Sequence, residues 1–142
     1  MKTIVIAVLS LCSIAFTAYA SDVSYREHIK PIFDSQCIAC HGESAPEYKA
    51  FKLAKETWKA QNLGPRMDSY TYLVYFTGWP DTGALMRRLD DNKPGNMYQH
   101  LGSSEQERQQ NLSLFKAWVG GWTTKRFKDI TKEELAAIKV AF

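Results

Sequence analysis

The stretch Cys37-Ile38-Ala39-Cys40-His41 constrains this chain more than any other. On one helical turn, residues three apart share a face, so the two thiols point the same way and the histidine follows beside them. Thiols so placed add across the two vinyl groups of a porphyrin and leave thioether bonds, with His41 under the iron as its proximal nitrogen ligand. Gly42 lets the backbone turn away close to the ring. The spacing predicts one haem c, covalently held through Cys37 and Cys40. C-x-x-C also occurs in thiol-redox and zinc sites. Zinc needs a tetrahedral set, and beyond Cys37, Cys40 and His41 only His28 and His100 are available to complete one. Adjacent Cys40 and His41 are awkward partners on a single zinc. A thioredoxin-like site needs a strand leading into the motif, and none is evident before Cys37.

Residues 1–20 read as a secretory signal peptide. Lys2 is a short positive start, Ile4 to Phe16 is mostly apolar, and Ala18-Tyr19-Ala20 is a small-x-small site, so cleavage is expected after Ala20. The segment is short for a spanning helix, with an uncleaved anchor as the alternative. Cys12 follows Leu11, too bulky for the residue before a lipidated cysteine, and belongs with the leader. The remainder, 21–142, is one domain's worth and has no second long apolar run, which predicts an exported, periplasmic protein without an integral membrane segment. Export agrees with the haem reading, because c-type haem is attached outside the bacterial cytoplasm. Only two cysteines then remain, and a disulfide between them would close a tiny loop and stabilise little. The 18 Lys and Arg against 15 Asp and Glu form no basic patch of the nucleic-acid-binding kind.

After a polar lead-in, Pro31 suits a first helical turn, and Ile32, Phe33 and Ile38 line a helix that delivers the motif. His28, just upstream, reads as a helix-entry histidine, with a distant ligand or proton-coupled role as the alternative. A helix is expected from Pro46 to about Gln61, ended by Gly64-Pro65, with Phe51, Ala54 and Trp58 facing inward. Lys49, Lys52, Lys55 and Lys59 fall on its outer face, as solvated charge or as a docking surface for an acidic partner. Asp68 or Ser69 caps a third helix through Tyr70, Leu73, Val74 and Phe76, for which a strand is the rival. Trp79 is expected in the core or bonded to a haem propionate. Thr82 to Leu89 is a short helix with Leu85, Met86 and Leu89 inward, and Arg87 and Arg88 lie in solvent or reach propionates. Ser104 and Glu107 form a capping box for a helix that buries Leu112, Phe115, Trp118 and Val119 and stops at Gly120-Gly121. Thr131 and Glu134 form a second box, flanked by Ile130 and Leu135, for a C-terminal helix that packs as an extra element.

With His41 on one face of the iron, the sixth ligand decides the chemistry. Met97 is expected to fill it, because it follows the turn-rich loop Asp91 to Asn96 and a loop can wrap over the far face of a haem. Met86 has the periodicity of core packing, and Met67 comes next. His100 is the histidine rival and would convert the site to bis-histidine. A thioether sulfur favours ferrous iron and raises the potential, whereas bis-histidine ligation lowers it. An iron with six ligands has no vacancy for oxygen or peroxide.

The helix leading into Cys37-Ile38-Ala39-Cys40-His41, the Pro94 to Met97 loop and the capped helix from Ser104 to Val119 together resemble the class I monohaem c-type cytochromes. The stretch Ile29-Lys30-Pro31-Ile32-Phe33 is similar to cytochromes of environmental, metal-reducing bacteria. The resemblance implies an all-α fold, a small cytochrome c-like helical bundle in which the first and last core helices cross beside the haem. It implies His41 and Met97 as axial ligands, and a monomeric one-electron carrier that is not an enzyme. Its partners would be other redox proteins, cytochromes or membrane quinone-linked complexes. The long aromatic middle, its lysine face and the part after Gly121 depart from the short family core. A redox or gas sensor, or a haem enzyme such as a peroxidase, is the alternative if the sixth position is open. Replacing Cys37 or Cys40 alone by Ala is expected to weaken covalent haem retention, and replacing both to abolish it. Haem staining after denaturing electrophoresis checks this, and full stain in the double variant contradicts it.

Overall fold

Ser24 opens a continuous helical run by accepting a hydrogen bond from the Glu27 N–H, while its own N–H donates to His28 Nδ1 at 3.2 Å. This second bond makes His28 a helix-entry residue. The computed structural model describes residues 23–90 and 96–142. The leader and the loop 91–95 lie outside the described residues. A π-helical turn, Tyr25–Ile29, passes directly into α1 (Lys30–Gln36), with Pro31 at the start of α1. Cys37, at φ −120° and ψ −25°, interrupts the helix, and α2 (Ile38–His41) is a single turn carrying the rest of the motif.

The single helix expected from Pro46 to Gln61 is two: α3 (Tyr48–Leu53) and α4 (Lys55–Ala60). Ala54 leaves the helical region at φ −136°, ψ 43° and breaks the run. Asn62, at φ 59°, ends α4 before Gly64-Pro65 is reached, as asparagine tolerates the left-handed region. Phe51, Ala54 and Trp58 are half-buried and outside the central core, a correction to their expected inward packing. The four lysines of this stretch are all exposed.

Ser69 caps α5 (Tyr70–Tyr75), which is helix and not strand. Then come α6 (Ala84–Leu89), a 3-10 turn Met97–His100, α7 (Glu105–Val119) and α8 (Lys132–Ala136). The described residues thus hold eight α-helices and, in place of strands, one isolated bridge between Gly120 and Ile138. The fold is all-α, as the sequence predicts. Its core joins Ile29, Ile32 and Phe33 of the first run to Leu73 and Phe76, to Leu85, Met86 and Leu89 of α6, and to the α7 stripe Leu112, Phe115, Trp118 and Val119. The Thr131–Glu134 box is complete. At α7 only half of the expected box forms: Ser104 caps Glu107, but the Glu107 carboxylate accepts from the Ser103 N–H at 2.7 Å.

The chain after α8 is a strap. Lys139 and Val140 N–H donate to the Val119 and Trp118 carbonyls at 2.8 and 3.1 Å. The Trp118 indole N–H donates to Ala141 O and the Tyr70 hydroxyl to Val140 O, both at 2.8 Å. Tyr25 and Arg26 N–H, open donors at the start of the first helical run, donate to Ala141 O and Phe142 O at 2.8 and 3.1 Å. The Phe142 ring stacks on Tyr25, meets Tyr70 edge-on, and lies under the Arg26 guanidinium. Arg87, partly exposed, donates to the Thr82, Thr124 and Lys125 carbonyls and tethers the segment after α7. Trp79 is 66% exposed and no part of the core.

Trp118 is fully buried and bonded to the strap, so Trp118→Ala is expected to cost ~3–5 kcal/mol. Denaturant unfolding of the haem-loaded protein reads this cost, and an unchanged midpoint contradicts it.

Candidate haem-attachment site

The motif is built from backbone outward. Cys37 N–H continues the α1 ladder to Phe33 O at 2.9 Å, and the Cys37 carbonyl then accepts from the N–H groups of Cys40 and His41 at 3.2 and 3.0 Å. Both thiols are free and sit on this one turn, Cys37 half-buried against the core and Cys40 exposed. Burial pushes the Cys37 thiol up to about 12, and the nearby Cys40 adds to the rise. A thiol held that high is protonated at neutral pH, unlike the activated thiolate of a disulfide oxidoreductase. Among the described residues, no group of three or more His, Cys, Asp or Glu is placed to hold a metal ion, as a zinc reading would need.

The segment after α4 folds back onto the turn. Gly64 N–H donates to Cys40 O at 2.9 Å and Met67 N–H to His41 O at 2.8 Å. Between them, His41 Nδ1 lies 2.7 Å from the Pro65 carbonyl. A carbonyl only accepts, so Nδ1 carries the proton and Nε2 keeps its lone pair. Burial holds the imidazole below the ordinary histidine range; the Pro65 bond opposes that shift, and the charge of His100 adds to it. His41 is therefore a neutral, oriented nitrogen donor at neutral pH. Gly64 makes this packing possible, since a Cβ there would stand 2.1 Å from His41 Cε1.

The sequence-predicted ligands fall on different elements. Met86 is fully buried in the core with Leu85 and Leu89. Met67 is half-buried, its backbone tied to the His41 carbonyl. Met97 begins the 3-10 turn, half-buried against the core, and His100 ends the same turn, exposed. That turn is anchored to α7: Tyr98 OH donates to Glu105 Oε1 at 2.5 Å and accepts from Gln109 at 2.6 Å, while Asn111 donates to Leu101 O at 2.6 Å. Asn96 caps it, Oδ1 accepting from the Tyr98 N–H at 3.1 Å, and its buried Nδ2 has no partner among the described residues. The contributions of Gly64, Pro65 and Asn96 escaped the sequence reading. A backbone carbonyl carries no residue signature, and Gly64-Pro65 reads only as a helix stop.

These residues fit a haem c: two free thiols on one turn, a histidine with Nε2 available, and a glycine where a side chain would strike the His41 imidazole. An all-α fold carrying one such turn is that of a monohaem c-type cytochrome. The chain belongs to the PccH cytochrome c family, whose model matches residues 24–142. It is also similar to the solved structure of monohaem cytochrome PccH from Geobacter sulfurreducens, at 62% identity and a TM-score of 0.82, over 85% of this chain and 99% of that one. No curated protein matches it. No helix among the described residues is long and apolar enough to cross a membrane.

Gly64→Ala is expected to displace the His41 imidazole while leaving the thioether attachment intact. Haem staining should persist, and the ferric spectrum should show a weakened axial field or mixed spin. A wild-type spectrum in this variant contradicts the packing argument.

Proposed function

We propose that this protein is a periplasmic one-electron carrier in a respiratory chain, exported by residues 1–20 with cleavage after Ala20. Cys37 and Cys40 hold the haem through thioethers, and His41 and Met97 are the axial ligands. The observation that carries this reading is the His41 Nδ1–Pro65 bond beside two free thiols on the same turn. Haem c supplies the redox centre when bound, gaining and losing one electron at its iron.

The chain's own residues set how that centre behaves. The Pro65 carbonyl fixes the His41 ring and strengthens Nε2 as a donor. Met97 contributes a soft sulfur that favours the ferrous state. Its assignment is supported by elimination: Met86 is spent on the core, Met67 has its backbone on the His41 carbonyl, and Met97 stands on a separate turn braced by α7. With a protein side chain on each face, small oxidants are kept from the iron, which separates a carrier from a sensor or peroxidase. Cys40 and Ile38, the latter 44% exposed, leave the attachment edge open to other redox proteins, cytochromes or quinone-linked complexes, through a small, short-lived interface.

Met97→Ala is expected to lower the reduction potential and to let carbon monoxide bind the ferrous protein. A spectroelectrochemical titration and a carbon monoxide difference spectrum check it. An unchanged potential with no carbon monoxide complex moves the sixth ligand to His100.

A further inference from the structure

We propose that the turn after α5 and the loop before α8 form one peripheral docking surface for an anionic phospholipid bilayer, with Trp79 and Phe127 entering the headgroup region and Arg126 and Lys128 meeting the phosphates. The inference goes beyond the carrier reading and is independent of which residue is the sixth ligand.

The two segments are far apart in sequence and adjoin in space. Arg87 joins them, donating to Thr82 O on one and to Thr124 O and Lys125 O on the other at 3.0, 3.0 and 3.3 Å. Gly83 comes so close that a Cβ there would stand 2.3 Å from Lys125 O. Trp79 stands on the first segment, and Phe127, 51% exposed, on the second. Among the described residues the Trp79 indole N–H has no hydrogen-bond partner. An indole has an apolar body and one polar N–H, a combination that settles at a membrane–water boundary.

The charge around these rings is positive. Arg126 and Lys128 flank Phe127 directly, and both are exposed. Arg126 is near enough to Tyr48 and Arg87 for its charge to bear on both. Lys52 of α3 adds a cation, its Nζ 4.8 Å over the Tyr48 ring, and continues the surface toward the lysine face. The acids packed here are engaged. Asp81 accepts from the Tyr48 hydroxyl at 2.8 Å and pairs with Arg87 at 3.4 Å, while Glu134 closes the Thr131 box and pairs with Lys125. Asp129, exposed on the same loop, offsets part of the charge. The core of a protein–protein interface is depleted of charge, with polar residues at its rim. Here a cation stands on each side of one exposed aromatic, the pattern of interfacial membrane binding, in which the ring enters the acyl boundary and long basic side chains reach back to the phosphates.

Vesicle flotation of the purified haem-loaded protein at low ionic strength tests this. The wild type is expected to float with vesicles containing phosphatidylglycerol, to stay behind with vesicles of phosphatidylcholine alone, and to be released as salt is raised. Trp79→Ala combined with Phe127→Ala, both at exposed positions, should abolish flotation while circular dichroism and the haem spectrum stay as in the wild type. Arg126→Glu combined with Lys128→Glu should weaken binding about fivefold or more for each cation lost. A wild type that floats with neither vesicle, or equally with both, overturns the proposal. Retention on immobilised polyglutamate without flotation assigns the surface to an acidic protein, and the proposal fails. If flotation survives the Trp79 and Phe127 changes and is lost in Lys55→Glu with Lys59→Glu, attraction runs through the lysine face alone and the proposal also fails. Any of these failures leaves the carrier reading standing, because vesicle binding is read without reference to the iron.

Discussion

The hydrogen bond from His41 Nδ1–H to the Pro65 carbonyl is the contact on which the rest of the site depends. It selects one tautomer, fixes the plane of the ring, and leaves Nε2 as the free donor. It exists only because the segment 64–67 is held in register on the motif by backbone bonds to Cys40 and His41, and because Gly64 lets that segment touch the imidazole. A C-x-x-C-H run without this clamp would present two thiols and a histidine with either nitrogen protonated. With it, the same run presents a single histidine tautomer, with Nε2 as the nitrogen left to donate its lone pair.

The clamp in turn depends on a frame that runs to the far end of the chain. The motif extends from the Tyr25–Gln36 run, whose inner face of Ile29, Ile32 and Phe33 enters the core against α7. The first N–H groups of that run are satisfied by the strap at Ala141 and Phe142, and the strap is seated by Trp118 and Tyr70. The chain's C-terminal segment therefore stabilises the element that carries the haem motif. By contrast, α3 and α4 contribute little to the core and carry an exposed lysine face.

What was legible in the sequence was what local chemistry decides. The α7 stripe, the Thr131–Glu134 box and the core role of Met86 all follow from periodicity or capping, which depend on neighbours a few residues away. What was not legible is decided across the fold. Nothing in an Ala- and Lys-rich stretch announces a break at Ala54, because helix propensity there is high. Arg87 reads as a surface or propionate-binding arginine until the segment after α7 brings its carbonyls alongside. Trp79 has the composition of a core residue and the position of an exposed one. Pro65 acts through a carbonyl, which every residue has.

The optical spectrum of the purified ferric protein in the far red tests the central claim most directly, since a thioether sulfur bound to ferric haem gives a weak charge-transfer band there and a nitrogen ligand does not. A low-spin spectrum with that band is predicted by His41 and Met97 ligation. A low-spin spectrum without it contradicts the Met97 assignment and makes the protein a bis-histidine carrier, while a high-spin spectrum contradicts the carrier reading itself.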